Sequence, residues 1–269
     1  MITSTSNPQI KAIRKLADPK GRAAAGTFLA EGLRVVGQAL DSDADIQEVI
    51  FSDELLISDY GRDILGNLIQ KPGILITEVN RTVFESLARK EKPQGIAAVI
   101  QQSWPPLTDI SGVKHGIWVA LEAVQNPGNL GTILRTCDAV GAKGLILLDH
   151  STDPYDPAAV KASMGAIFTI PVFKSDLAGL RLFLQQNPSV FTIGTSDKAN
   201  QDSFDYDYPN PVMLLMGSER EGLSGSYQEL SQEMLRIPME GENDSLNLSV
   251  ATGIMLYQVY NQHRKVAKS

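Results

Sequence analysis

The sequence predicts an α/β protein in two parts: a smaller α/β unit, then a larger one built on a parallel sheet covered on both faces. Three observations carry this. Strand-like and helix-like patterns alternate along both halves of the 269 residues. Two late runs, 190–195 (VFTIGT) and 212–216 (VMLLM), are continuously apolar, as strands buried on both faces are. Between the halves, 103–112 (SWPPLTDISG) groups prolines, serine and glycine between apolar runs, the composition of a connection. The predicted division is 1–102, a linker over 103–112, and 113–269.

Asn7-Pro8 reads as a helix start, with Asn as cap and Pro in the first helical position. Ile10, Ile13 and Leu16 then form an apolar face, and Lys11, Arg14 and Lys15 point elsewhere. Residues 18–21 break that helix. Strands are predicted over 27–30, 46–51, 74–79 and 96–100, and helices over 33–40, 57–70 and 83–89. In the second half the strands are 117–124, 144–148, 168–173, 190–195 and 212–216. Pro171 marks 168–173 as an edge or terminal strand, because proline donates nothing to a ladder. Helices are predicted over 130–140, ending at Gly141, and over 157–163 and 177–186. A short strand over 235–239 stops at Pro238, a polar loop fills 240–244, and a helix starts at Ser249. That helix carries Val250, Ile254, Tyr257 and Val259 with Ala251, Met255 and Leu256 beside them, so it is apolar over more than one stripe.

A hydrophobic fraction of 43% and a mean hydropathy of −0.08 fit a soluble chain with a sizeable core. No run approaches the ~20 apolar residues of a membrane helix, and the N-terminus has no apolar signal segment. Cys137 is the only cysteine, which excludes an internal disulfide and suggests a reducing, cytoplasmic setting. A lone cysteine is usually core. His115, His150 and His263 show no metal-ligand spacing, so no metal is expected. The net charge of −7 argues against a protein dedicated to coating nucleic acid, but not against a local basic face. Residues 1–34 hold six basic side chains against two acidic ones. Lys11, Arg14, Lys15 and Arg22 are the candidates for phosphate contact; Arg264, Lys265 and Lys268 add charge at the tail.

Three stretches can carry chemistry. In 126–141 (NPGNLGTILRTCDAVG) a strand runs through a loop with Gly128 and Gly131 into a helix. Glycines there let backbone approach a ligand, but the dinucleotide spacing G-x-G-x-x-G is absent. Asn129 and Arg135, six apart, can converge if Asn129 lies in the loop and Arg135 projects back. In 216–224 (MGSEREGLS) a buried strand ends at Gly217, with Ser218 and Glu219 at its carboxyl end, where open α/β sheets bind ligands. In 237–259 a polar loop feeds a helix, so Ser245 and Asn247 sit where side-chain oxygens cap and backbone N–H groups are unspent.

Together and in this order, the three stretches resemble the SpoU (TrmH-like) branch of the SPOUT RNA 2′-O-ribose methyltransferases. NPGNLGTILRT is similar to motif 1, LLMGSEREGLS to motif 2 and IPMEGENDSLNLSVATG to motif 3. The first half, above all FLAEGLRVV, is similar to the L30e-like substrate-binding domain of rRNA-directed members. Asn243 departs from a motif 3 position that is often apolar, and the chain is more acidic than many relatives.

The resemblance implies a trefoil-knotted catalytic domain, a homodimer with the C-terminal helix at its interface, and rRNA rather than tRNA as substrate. It implies S-adenosylmethionine as methyl donor, in a pocket lined by Gly217, Ile237 and Leu246 with Thr195 near by. It also implies catalytic work at Arg135, with Asn129, Glu219, Ser245 and Asn247 positioning it and the ribose. Guanidinium stays protonated in proteins, so Arg135 is read as binding phosphate and stabilising the forming alkoxide. Two rival readings are a nucleotide-dependent oxidoreductase, which lacks its glycine fingerprint, and a catalytically dead RNA-binding relative, which the intact polar set argues against.

Overall fold

A computed structural model describes residues 1–88, 92–242 and 245–266. Asn243 and Lys268, named above, and the ends of the ranges 83–89 and 240–244 lie outside them. The chain forms two compact units, one of Met1–Ser103 with Asp153–Thr169, the other of Trp104–Thr152 with Ile170–Ser269.

In the first unit Asn7 caps α1 (Pro8–Lys15) by accepting from the Gln9 N–H, as the Asn-Pro pair predicts. The break expected over 18–21 is only a turn. Pro19 opens a second helix, α2 (Pro19–Ala25), closed by Gly26 in the left-handed region at φ 67°. Gly21 has to be a glycine, because a Cβ there would overlap the Lys15 carbonyl. The remaining elements are β1 (Thr27–Glu31), α3 (Leu33–Asp41), β2 (Ile46–Phe51), α4 (Asp59–Gln70), β3 (Leu75–Glu78), α5 (Arg81–Leu87) and β4 (Ile96–Gln101). The sheet order is β1-β4-β2-β3, antiparallel except for the β2–β3 pair. Ile10, Ile13 and Leu16 bury the apolar face of α1 against Val83, Phe84 and Leu87 of α5 and the sheet.

Arg22 corrects an expectation. It is 1% exposed, not a surface cation. Its Nη1 donates to the carbonyls of Leu16 and Ala17, both at 3.0 Å. Its Nε pairs with Asp153 at 2.8 Å, and its Nη2 lies 3.6 Å from Asp156. A buried guanidinium needs such partners to offset lost hydration. The pairing accompanies a second difference: 153–169 packs with the first unit, not with the rest of 113–269.

The second unit runs β5 (Ile117–Glu122), α6 (Pro127–Val140) and β6 (Gly144–Leu148). The chain then visits the first unit through α7 (Pro157–Ser163) and returns as β7 (Val172–Ser175), α8 (Leu177–Gln186), β8 (Phe191–Thr195) and β9 (Gln201–Asp202). β10 (Val212–Met216), α9 (Gly225–Gln228), β11 (Glu233–Arg236) and α10 (Leu248–Val266) complete it. The sheet order is β7-β6-β5-β10-β8-β11-β9, and every pair is parallel. β10, fully buried, lies between β5 and β8, as its unbroken apolar run requires. β7 is an edge strand as expected, but it begins after Pro171; Ala166–Phe168 forms a 3-10 turn instead. β11 likewise ends before Pro238. The 103–112 segment is no free spacer: Leu107, in the turn Leu107–Asp109, is buried in the core with Trp118, Phe173 and Phe183.

Candidate active site

Because the sheet is parallel, the loops that follow β5, β8, β10 and β11 all leave from one edge. After β5, Ala123 takes a left-handed φ of 50°, a conformation that costs a non-glycine residue roughly 1–2 kcal/mol. Asn126 then caps α6, accepting from the N–H groups of Gly128 at 2.8 Å and Asn129 at 3.1 Å. Pro127 fills the first position. Asn129 therefore stands in the first turn of the helix, not in the loop. A helix turns 100° per residue, so Arg135 points away from Asn129. Arg135 is exposed and has no hydrogen bond or ion pair among the described residues.

After β10, Gly217 leads into a tight turn closed by reciprocal Ser218–Gly222 backbone bonds, both 3.1 Å. A Cβ at Gly217 would overlap the backbone of Gly222 and Leu223. The missing side chain is thus required by the turn itself. The turn holds Glu219 against the N-terminus of α6. The Glu219 carboxylate accepts from Asn129 Nδ2 at 3.0 Å and from the N–H groups of Gln125 and Asn126 at 3.3 and 3.4 Å. Partial burial works to raise its pKa. The hydrogen bonds from Asn129 and backbone N–H groups outweigh that and hold it below the ordinary carboxylate value.

Asn129 in turn accepts from Asn247 Nδ2 at 3.1 Å. Asn247 Oδ1 caps α10, accepting from Ser249 N–H at 2.9 Å and Ser249 Oγ at 2.7 Å. Capping therefore fixes which end of the Asn247 amide faces Asn129, and Asn129 presents its other end to Glu219. One polar chain ties all three motif loops together.

Beside it lies a cleft of about 420 Å³, in the size range of cofactor sites. Thr195, Gly217, Glu219, Ile237, Ser245 and Leu246 line it, with Met216, Leu235 and Leu248 adding apolar wall and Ser196, Asp197, Lys198 and Arg220 polar groups. Thr195 Oγ1 bonds Met216 Sδ at 3.6 Å. Asn129, Asn247 and Arg135 are outside the lining. Cys137 is fully buried and its thiol is pushed up to about 12 by desolvation, a core residue with no chemistry. Asn126 and Gln125 are two further residues of the site. Asn126-Pro127 repeats the Asn7-Pro8 helix-start signature, so the cap was findable. Gln125, which bridges the carbonyls of Ala123 and His150 at 2.9 and 3.0 Å, carries no local signal. Among the described residues no group of three or more His, Cys, Asp or Glu side chains could hold a metal, and no helix is long and apolar enough to cross a membrane.

The pattern of the SpoU rRNA methylase family matches residues 116–257. The chain belongs to that family. The pattern of the MRM3-like substrate binding domain matches residues 7–98. An AdoMet-bound rRNA methyltransferase from Sinorhizobium meliloti superposes with a TM-score of 0.88 at 36% identity, covering 97% of each chain. The 23S rRNA (guanosine(2553)-2′-O)-methyltransferase RlmP of Bacillus subtilis is 30% identical over 96% of this chain and 98% of its own length. The AdoMet-bound SpoU methyltransferase AviRb of Streptomyces viridochromogenes is 26% identical with a TM-score of 0.86, covering 96% of this chain and 98% of its own. The SpoU and substrate-binding resemblances read from the motifs are both borne out.

Proposed function

We propose that this protein transfers the methyl group of S-adenosylmethionine to a ribose 2′-OH of 23S rRNA. The observation that carries the reading is the cleft built from three loops at the carboxyl edge of the parallel sheet and tied together through Glu219, Asn129 and Asn247. Its donor set fits the cofactor: an apolar slot of Met216, Leu235, Ile237, Leu246 and Leu248 for an adenine, bordered by the Thr195 and Ser196 hydroxyls and loop backbone. Relatives of known structure with AdoMet bound support it. S-adenosylmethionine supplies an already activated methyl on a sulfonium.

The chain's residues then orient the acceptor. Glu219 has both carboxylate oxygens occupied by N–H donors, so it is a positioning residue rather than a proton carrier. Asn129 and Asn247 are spent on the same chain and position the loops. Ser245 lines the cleft and is exposed, so its hydroxyl is the one offered to the ribose. Arg135 is exposed on α6, about two turns after Gly128 on the same helix face. Its permanent charge suits phosphate binding and stabilisation of the forming alkoxide.

The homodimer belongs to the same proposal. Met255, Leu256 and Val259 of α10 are fully buried, whereas Val250 and Tyr257 are 50% and 45% exposed, which leaves a second apolar stripe for a partner. The trefoil knot is supported by the late strand β10 inserted between β5 and β8 and by α10 packing back on α6. A cytoplasmic location belongs to the same proposal and fits the free thiol of Cys137. Mapping 2′-O-methyls on total RNA from cells with and without the gene tests the reading. A 23S rRNA site lost with the gene supports it; an unchanged rRNA map refutes it.

A further inference from the structure

The first unit holds a second cavity, of about 200 Å³, which the methyl-transfer site does not use. It opens among α1, β1, α5 and α7. Ile13, Leu29, Leu87 and Val160 supply apolar wall, and Arg14 and Lys161 supply cations. Lys161 is exposed and Arg14 half-buried. The Arg14 guanidinium is held in place: Nη2 donates to Ser86 Oγ at 2.9 Å and to the Thr5 carbonyl at 3.3 Å. Ser86 Oγ donates in turn to the Val83 carbonyl at 2.7 Å.

The two walls are clamped from behind by Arg22. It bonds the carbonyls of Leu16 and Ala17 at the end of α1 and the carboxylates of Asp153 and Asp156 just before α7. Hydrophobic packing would stabilise such a buried place at least as well as an ion pair. A fork with fixed donors does what hydrophobic packing does not, which is to fix the position of one wall against the other.

We infer that this cavity takes one unpaired nucleotide of the RNA substrate, with the base in the apolar pocket and the phosphate on Arg14 and Lys161. The inference rests on the reading of the protein as an RNA methyltransferase. The size decides against a larger ligand: whole-cofactor pockets span roughly 300–1,000 Å³, so this one admits a single planar ring system. Apolar walls with cations at the mouth match a nucleotide, whose base has a π-face and whose phosphate is anionic. Glu31 adds a carboxylate to the lining. Lys11 and Lys15, exposed on the same helix as Arg14, extend the positive surface along the strand.

The test uses the full chain with 23S rRNA transcribed in vitro. Ala17 also lines the cavity, so Ala17→Leu fills it, and Lys161→Gln removes an exposed charge. Ala17→Leu is expected to raise the KM for RNA about tenfold, the scale of losing one buried base. Lys161→Gln is expected to lower the log–log salt slope of RNA binding by about 0.7–0.9. Calorimetric affinity for S-adenosylmethionine and kcat at saturating RNA are expected to stay at wild-type values in both. Ultraviolet cross-links from wild type are expected on peptides containing residues 13–17 or 157–161. If wild type methylates the RNA while both variants keep its KM and salt slope, the pocket is refuted and the methyltransferase reading stands. If wild type neither methylates nor binds the RNA, both fall. Saturable binding of free nucleoside 5′-monophosphates tighter than that of RNA would make this a small-molecule site and overturn the RNA assignment.

Discussion

Arg22→Met removes a guanidinium that is 1% exposed and replaces it with an apolar chain of similar length. Four contacts go: two to the Leu16 and Ala17 carbonyls at 3.0 Å, one to Asp153 at 2.8 Å and one to Asp156 at 3.6 Å. Breaking a buried ion pair on one side costs about 3–5 kcal/mol, mostly from the charge left behind. Here the stranded carboxylates are 28% and 29% exposed, so water reaches them and the lower end applies, about 3 kcal/mol. With a urea dependence of ~2 kcal/mol per M, the midpoint for the first unit should fall by roughly 1.5 M. Urea unfolding read by hydrogen exchange in α2 and 153–169 measures it. Arg22→Lys should recover only part, since an ammonium keeps the charge without the fork. A midpoint within about 0.3 M of wild type, on the same slope scale, would show that the clamp stabilises nothing, and would remove the reason given for 153–169 joining the first unit.

At Gly217, even Ala should disturb the 218–222 turn, because a Cβ overlaps the Gly222 and Leu223 backbone. Calorimetry should show S-adenosylmethionine affinity falling tenfold or more in Gly217→Ala, while circular dichroism stays native; wild-type affinity would separate the turn from the cofactor site. Arg135→Ala should leave cofactor affinity and dimer intact and slow single-turnover methyl transfer by ~100-fold, the usual scale for one charge-stabilising donor. Arg135→Lys should rescue only part of that rate, and an unchanged rate in the alanine variant would end the catalytic assignment. Glu219 has a lowered folded pKa, so the stabilisation it brings is fully present above the ordinary carboxylate value. That stabilisation is lost only as pH falls below that value. Cofactor affinity should therefore be flat from pH 6 to 8 in wild type and drop only on acidification below the ordinary carboxylate range. Glu219→Gln should bind weakly throughout; an affinity titrating near pH 7 would place the responsible group elsewhere.

Local pattern carried far in this chain. The Asn-Pro start of α1, the Gly141 cap of α6, the edge position forced on β7 by Pro171 and the interior position of β10 all follow from short-range sterics and burial. What the sequence hid was decided by partners far along the chain. Arg22 has the look of a surface cation until Asp153, 131 residues later, meets it, and 153–169 packs with the first unit beside that pairing. Gly217 read as a place where backbone meets ligand, yet its empty side is filled by its own turn. The pattern starts the helix at Leu130, but Asn126-Pro127 begins it earlier and brings Asn129 into its first turn. Motif 2 by itself is a strand running into a polar turn. Its meaning lies in the carboxylate of Glu219 reaching across to Asn129, 90 residues away.

The proposed reaction moves a methyl group from S-adenosylmethionine to a ribose oxygen of rRNA. Incubating the protein with unmodified 23S rRNA and S-adenosylmethionine bearing an isotopically labelled methyl, then digesting to nucleosides for mass spectrometry, tests it directly. Label is expected in a single 2′-O-methylated nucleoside, with its base mass unchanged. Label on a base, or none in the RNA despite measurable cofactor binding, would contradict it.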